Sequence, residues 1–160
     1  RYFMDKNLFD NINIDKANTH VMNGKCEDPD KEAADYDKAI EAAGGIDLQV
    51  LGIGRNGHIG FNEPAGELIA ATHLTGLTES TIEANARFFE NESDVPRHAL
   101  TMGMKPIIAA RQIIILINGK NKHEALTGLL SGKISTSNPS TMLNLHGNVT
   151  ILCDEEAYNG

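Results

Sequence analysis

Three side chains in the segment GIGRNGHIGFNEP, residues 52–64, are of types that can move protons. A histidine such as His58 is a side chain suited to general acid–base catalysis. Glu63 lies five residues later, and a neighbouring carboxylate orients a histidine ring and raises its basicity. Asn56 can join the same hydrogen-bond network without adding charge. The segment therefore predicts acid–base chemistry or, as the spacing alone equally allows, a capping histidine beside a solvated carboxylate.

The first six residues of the segment also spell G-x-G-x-x-G behind an apolar strand, the pattern of a dinucleotide-binding turn. That turn requires a long helix at its third glycine, with the helix N-terminus facing the pyrophosphate. Gly60, Pro64 and Gly66 interrupt any helix within two turns. Glu79 stands near the place of a ribose-binding acid but equally suits the start of the next helix. We therefore expect no dinucleotide, and no other cofactor.

The elements that must position this segment alternate between strand and helix along the chain. Strands are predicted at residues 19–24, 46–54, 72–77, 98–103, 112–119 and 148–154, and helices at 1–12, 29–43, 80–91, 105–110, 120–132 and from 139. This alternation predicts an α/β fold with a mainly parallel sheet. The near-continuous apolar run at 46–54 is typical of a strand covered on both faces.

Ligands of parallel sheets bind beyond the carboxyl ends of the strands. Three predicted loops lie at such ends: residues 52–63, residues 119–122 and the loop after Asp154. The segment with His58 and Glu63 is one of them. The candidate site is therefore expected where these loops meet.

Composition narrows the class of protein. With 160 residues, 41% hydrophobic and 22% charged, the chain is expected to form one globular domain. The net charge of −8 argues against binding of nucleic acid or an anionic membrane, and no apolar run reaches the roughly 20 residues of a membrane span.

Cys26 and Cys153 predict reduced thiols in a cytoplasmic protein. No residue spacing indicates a metal site. An uncapped amphipathic helix at the start predicts a truncated N-terminus.

Residues 52–64 resemble the signature of the isomerising glucosamine-6-phosphate deaminases. The stretches NLFDNINI, VMNG, ANARFF, GKNK and ILCDE follow in the order of that family. The related 6-phosphogluconolactonases share a G-x-x-x-D-G-H core but usually continue toward S-L-F-P, so the FNEP of residues 61–64 separates the two. The resemblance implies a doubly wound, Rossmann-like three-layer sheet of the deaminase/ribose-5-phosphate isomerase/lactonase type. Residues 1–160 would form a single α/β domain, the C-terminal two-thirds of a larger sugar-phosphate-binding domain.

The resemblance also assigns roles to the residues of the segment. It makes His58 the acid/base that opens the sugar ring, with Glu63 and Asn56 completing its relay. Some family members carry Asp where this chain has Asn56. A neutral amide cannot stabilise an imidazolium by charge, so Glu63 is expected to supply that stabilisation alone.

Four further residues are candidates for binding the substrate or its phosphate, and two of them match phosphate ligands of the family. Arg87 in ANARFF and Lys122 after the strand at 112–119 correspond to phosphate ligands. A guanidinium fork and a lysine at a helix start suit a phosphate dianion. Gly52 and Gly54 are expected to let the backbone approach the same ligand.

The implied activity is conversion of glucosamine 6-phosphate and water to fructose 6-phosphate and ammonia by ring opening, aldose–ketose isomerisation and deamination. The partner is a small amino-sugar phosphate, with no nucleic acid, no membrane and a homo-oligomer left open. The family places its C2 proton-abstracting aspartate upstream of Arg1, so this chain is expected to keep ring opening and lack that base. The alternatives are a 6-phosphogluconolactonase-like hydrolase and an inactive sugar-phosphate-binding fragment.

Overall fold

The computed structural model describes residues 1–160, apart from the side chain of Glu92. Its helices are α1 Tyr2–Met4, which continues as a wider turn over Asp5–Phe9, α2 Pro29–Ala42, α3 Glu79–Ala86, α4 Met104–Ile108, α5 His123–Leu130 and α6 Glu155–Asn159. Its strands are β1 Leu48–Gly52, β2 His73–Gly76, β3 His98–Thr101, β4 Gln112–Ile117 and β5 Val149–Cys153. Short 3-10 turns at Lys120–Lys122 and Pro139–Leu145 flank α5.

The main sheet is parallel, with the strand order β1-β4-β5. Strands β2 and β3 form a separate antiparallel pair in which His73 lies opposite Thr101. The α/β class and the mainly parallel sheet expected from the sequence are confirmed. Because the three parallel strands run the same way, Gly52, Ile117 and Cys153 end at one edge of the sheet.

One face of the parallel sheet carries the core. Leu51, Ile113, Ile115 and Ile117 are each at most 8% exposed and pack with apolar side chains of α4, α5, α6 and the 139–145 turn. Alternate residues of a strand point to opposite faces, and in this register these four residues share one face. The sheet and the helices of this face are thereby fixed to each other.

The opposite face of the sheet is exposed in this chain. Leu48, Val50, Leu116 and Leu152 are 50–54% exposed and share this face. The prediction that the strand at 46–54 is covered on both faces is therefore wrong for the described residues. Its apolar run is real, but helices of the chain cover only one of its sides.

Two local predictions also differ from the structure. The strand predicted at 19–24 is irregular, because its polar groups bond elsewhere: the carbonyl of Thr19 accepts from Arg1, and the amide of Asn23 donates to Glu32. Helix α6 was not predicted. Asp154 caps it by accepting from the amide of Ala157 at 2.8 Å, and Asp followed by acidic residues is a recognised helix start.

Candidate active site

A cavity of about 420 Å³ lies at the edge where the parallel strands end. The loop after β1, helix α3 and the turn after β4 surround it. The lining residues are Ile53, Gly54, Arg55, Asn56, His58, Ser80, Thr81, Ala84, Asn85, Arg87, Asn118, Gly119, Asn121 and Lys122. Four side chains singled out in the sequence, those of Asn56, His58, Arg87 and Lys122, therefore meet at one cavity.

Glu63 lies behind His58 and is the centre of a hydrogen-bond network. Its side chain is 7% exposed, and its Oε2 lies 3.1 Å from Nδ1 of His58. The amide of Asn56 donates to the same oxygen at 2.7 Å, and the hydroxyl of Thr81 donates to Oε1 at 2.5 Å. The predicted cluster of His58, Glu63 and Asn56 is thus assembled, with Thr81 as an additional member.

The carboxyl of Glu63 is held in its ionised form. Burial raises its pKa, but hydrogen bonds from His58, Thr81 and Asn56 outweigh burial and lower the pKa from an ordinary 4.5 to about 2. A carboxylate only accepts hydrogen bonds, so Nδ1 of His58 must carry the proton that they share. Nε2 of the neutral ring is then the nitrogen with a free lone pair. This hydrogen bond leaves Nε2 of a neutral ring free to accept a proton.

Asn56 does two things that an aspartate at this position cannot combine. Its Nδ2 donates to Glu63, and its Oδ1 accepts from the backbone amide of His58 at 3.3 Å. The second contact is a short side-chain-to-backbone turn of the kind Asn favours. Asn56 contacts the carboxylate and the backbone rather than the imidazole ring, so it orients the relay and does not carry charge.

Glycine is required at two positions of the loop. Gly57 has φ of +84°, and a Cβ there would lie 2.1 Å from Oδ1 of Asn138. A Cβ at Gly54 would lie 2.4 Å from the ring of His58. The loop therefore bends tightly at Gly57 and holds the histidine ring directly against Gly54.

The FNEP tail anchors the loop from its other end. Asn62 is 3% exposed and donates to the carbonyls of Ile59 at 3.0 Å and Met102 at 2.8 Å. The amide of Phe61 donates to the hydroxyl of Thr101. These bonds tie the loop to the end of β3, so Glu63 enters the cluster from a fixed backbone.

The structure places the two glycines named in the sequence differently. Gly52 is the last residue of β1, pairs with Leu116 and does not line the cavity, so the fold does not bring it to the site. Gly54 lines the cavity, and its amide donates to the carbonyl of His58 at 2.8 Å. Contact of Gly54 with a ligand stays a prediction.

Three cations border the cavity. Lys122 is half-buried, and its Nζ donates to the carbonyl of Ile53 at 2.6 Å. Burial lowers the pKa of Lys122, and the nearby charges of Arg55 and Arg87 lower it further. No carboxylate is among the described residues that line the cavity. The field at this end of the cavity favours an anion.

Sequence reasoning missed two members of the site. Arg55 lies in the loop itself, between Gly54 and Asn56. Its positive charge beside the predicted acid–base residues was a sequence signal that could have placed it at the site. Thr81 lies 18 residues after Glu63 on another element, and no sequence signal links the two. Two other histidines, His123 and His146, bond backbone carbonyls outside the cavity.

The dinucleotide alternative is excluded by the course of the loop. The next helix after Gly57 is α3, which begins only at Glu79. Among the described residues no cluster of metal-ligating side chains occurs. No described helix is both long and apolar enough to cross a bilayer.

A family model described as glucosamine-6-phosphate isomerases/6-phosphogluconolactonase matches residues 2–152. The chain belongs to this family. It is 55% identical over 159 residues to a glucosamine-6-phosphate deaminase of Clostridium beijerinckii, an alignment that covers 99% of the chain and 66% of that relative. It is 52% identical over 156 residues to a glucosamine-6-phosphate deaminase of Thermoanaerobacter pseudethanolicus, covering 98% of the chain and 62% of that relative.

Solved structures agree with the family assignment. A monomeric glucosamine-6-phosphate deaminase superposes with a TM-score of 0.95 at 42% identity, covering 99% of this chain and 66% of that one. A 6-phosphogluconolactonase from Trypanosoma cruzi shares the fold with a TM-score of 0.65 at 22% identity, covering 88% and 55% of the two chains. The 160-residue chain spans about two thirds of the length of the deaminases that it matches.

Proposed function

We propose that the protein converts glucosamine 6-phosphate and water to fructose 6-phosphate and ammonia, and that the described chain supplies ring opening and phosphate binding. The observation that carries the proposal is the Glu63 carboxylate bonded to Nδ1 of His58. Support also comes from the relatives at 52–55% identity, which are named glucosamine-6-phosphate deaminases.

Ring opening needs a proton moved from the anomeric hydroxyl to the ring oxygen. Nε2 of His58 takes the hydroxyl proton, and the resulting imidazolium is stabilised by the carboxylate of Glu63 3.1 Å from Nδ1. The same nitrogen then returns the proton to the ring oxygen as the C1–O5 bond breaks. Glu63 stays ionised throughout, because its pKa of about 2 lies far below that of an imidazolium.

The three cations suit the phosphate group. Lys122 has three N–H donors and uses one on Ile53, which leaves donors for phosphate oxygens. Arg87 ends helix α3 with its guanidinium 4.7 Å above the ring of Phe88, a stacked arrangement that limits its motion. Burial first, and then the charges of Arg55 and Arg87, lower the pKa of Lys122; a dianion among the three cations offsets the repulsion between their charges.

The later transfer of the C2 proton to C1 needs a carboxylate base. No described residue supplies one at this cavity, so the proposal assigns that step to none of them. It keeps the sequence-based hypothesis that residues 1–160 are the C-terminal two-thirds of a larger sugar-phosphate-binding domain that carries this base. A cytoplasmic location belongs to the same proposal.

The lactonase alternative has weaker support. The Trypanosoma cruzi lactonase is 22% identical, a level that reports the fold alone. An inactive binding fragment also remains an alternative, and it differs from the proposal in having no catalysis of ring opening. Both alternatives are separated by the reactions measured below.

Ring opening can be measured without deamination, because it interconverts the α and β anomers of the sugar phosphate. We expect the chain to accelerate this exchange for glucosamine 6-phosphate in NMR exchange spectra, and His58→Gln to abolish the acceleration while binding persists. Ammonia release is expected from a version lengthened with the part of the Clostridium beijerinckii relative that this chain does not match. Absence of both activities in the parent proteins would overturn the proposal. Hydrolysis of 6-phosphogluconolactone without ammonia release would favour the lactonase.

A further inference from the structure

Among the described residues, Thr81 supplies the one hydroxyl that donates to Oε1 of Glu63, the carboxylate oxygen that does not contact His58. It is 4% exposed and donates to Oε1 of Glu63 at 2.5 Å, while Oε2 serves His58 and Asn56. The two carboxylate oxygens thus have separate tasks. Rotation of the carboxyl group away from His58 would break the bond to Thr81.

The direction of the Thr81 proton is set by its own neighbour. The hydroxyl of Thr78 donates to Oγ1 of Thr81 at 3.1 Å, so Thr81 accepts on one side and donates on the other. Thr78 is the N-cap of helix α3, and its carbonyl accepts from the amides of Thr81 and Ile82. The first turn of α3 therefore fixes the position of the hydroxyl that donates to Glu63.

The same helix reaches the cationic end of the cavity. Arg87 is the C-cap of α3 and lies six residues after Thr81, a rise of about 9 Å along a helix. Ser80, Thr81, Ala84 and Arg87 line the cavity at the spacing of one helical face. One short helix thus contacts both the relay and the place proposed for the phosphate.

We infer that Thr81 is a positioning residue of the ring-opening relay: it holds Oε1 of Glu63 so that Oε2 faces His58, and through α3 it ties that geometry to Arg87. This inference rests on the proposed function, since it names how the same site is kept in register. Phosphate bound at Arg87 would hold α3 in place, and the helix would in turn hold the carboxylate that orients the base.

The test compares two threonines that each donate to a carboxylate. Thr81→Val removes the hydroxyl that bonds Glu63, and Thr72→Val removes a buried hydroxyl that bonds Asp37 away from the cavity. We expect Thr81→Val to slow anomer exchange about 10-fold to 100-fold, the loss expected for a hydrogen bond to a charged group, with KM within about twofold. Thr81→Ser should recover the rate to within about threefold, and Thr72→Val should keep it.

A second readout does not depend on turnover. We expect the proton that Nδ1 of His58 shares with Glu63 to give a downfield ¹H resonance in the parent chain, in Thr81→Ser and in Thr72→Val. In Thr81→Val we expect this resonance to be lost or shifted upfield. If the valine variant does not fold, Thr81→Ala replaces it. An unchanged resonance and rate in the variant without the hydroxyl overturns the inference, as does an equal loss in Thr72→Val. Absence of exchange in the parent chain together with absence of ammonia release from the lengthened version overturns the proposed function instead, and the resonance still tests Thr81.

Discussion

Replacing Glu63 by glutamine removes the charge of the relay and keeps the shape of the side chain. The amide has one oxygen where the carboxylate has two. That oxygen is expected to face His58 and Asn56, which donate to it, while the new NH₂ group replaces the oxygen that accepts from Thr81. The variant keeps the contacts to His58 and Asn56 and removes the charge together with the Thr81 bond, and the Thr81→Val variant measures that bond by itself.

The size of the effect follows from the distance between the two groups. Unit charges 3.1 Å apart attract by about 5 kcal/mol at an effective dielectric constant of about 20. The glutamine oxygen keeps a neutral hydrogen bond worth about 1 kcal/mol. The side chain of His58 is 17% exposed, which screens part of the attraction. We expect imidazolium formation to lose about 3 kcal/mol, or about 100-fold in the rate of ring opening.

The assay is the initial rate of anomer exchange of glucosamine 6-phosphate at pH 7, with KM determined alongside. Glu67→Gln is the matched control, since Glu67 is an exposed carboxylate of the same loop and outside the cavity. KM should change little in Glu63→Gln, because the substitution leaves the proposed phosphate ligands Lys122 and Arg87 unchanged. A Glu63→Gln rate within threefold of the parent, with an unchanged melting temperature, would refute the charge argument.

Three other changes test separate parts of the site. Asn56→Asp places a second carboxyl where an amide now donates to Glu63 at 2.7 Å, so the acidic limb of the rate–pH profile should move up by about one unit or more, and an unmoved limb counts against this geometry. Lys122→Met should raise KM for the sugar phosphate about tenfold or more with a smaller change in kcat, whereas Lys133→Met, an exposed lysine outside the cavity, should stay within twofold. The lowered pKa of Glu63 means that the unfolded chain binds its proton first as pH falls. Folding stability from this group is therefore full above about pH 4.5 and declines toward pH 2 by up to about 3 kcal/mol, and urea denaturation should show a shallower decline in Glu63→Gln.

Much of the fold was predictable because its signals are local. The apolar runs that became β1, β4 and β5 are bounded by glycines, polar turns and helix caps, and their order with the helices sufficed for a parallel sheet. The strand predicted at 19–24 failed because Arg1 and Glu32 bond its backbone, and those contacts come from residues distant in sequence. An apolar run also does not show whether one face of a strand or both faces will be buried.

The sequence by itself determined which polar groups of the loop come together. His58, Glu63 and Asn56 lie within eight residues, and Gly57 allows the bend that brings them together, so proximity in the chain became proximity in space. Tertiary structure decided everything that crosses elements. It buried Glu63 beside Nδ1 of His58 among hydrogen bonds that lower the pKa of Glu63, it placed Thr81 against that carboxylate, and it brought Lys122 to the carbonyl of Ile53, 69 residues earlier. The physical reason is that a pKa, a tautomer and a shared cavity depend on which groups the fold places within a few ångströms, and residue order does not specify those distances.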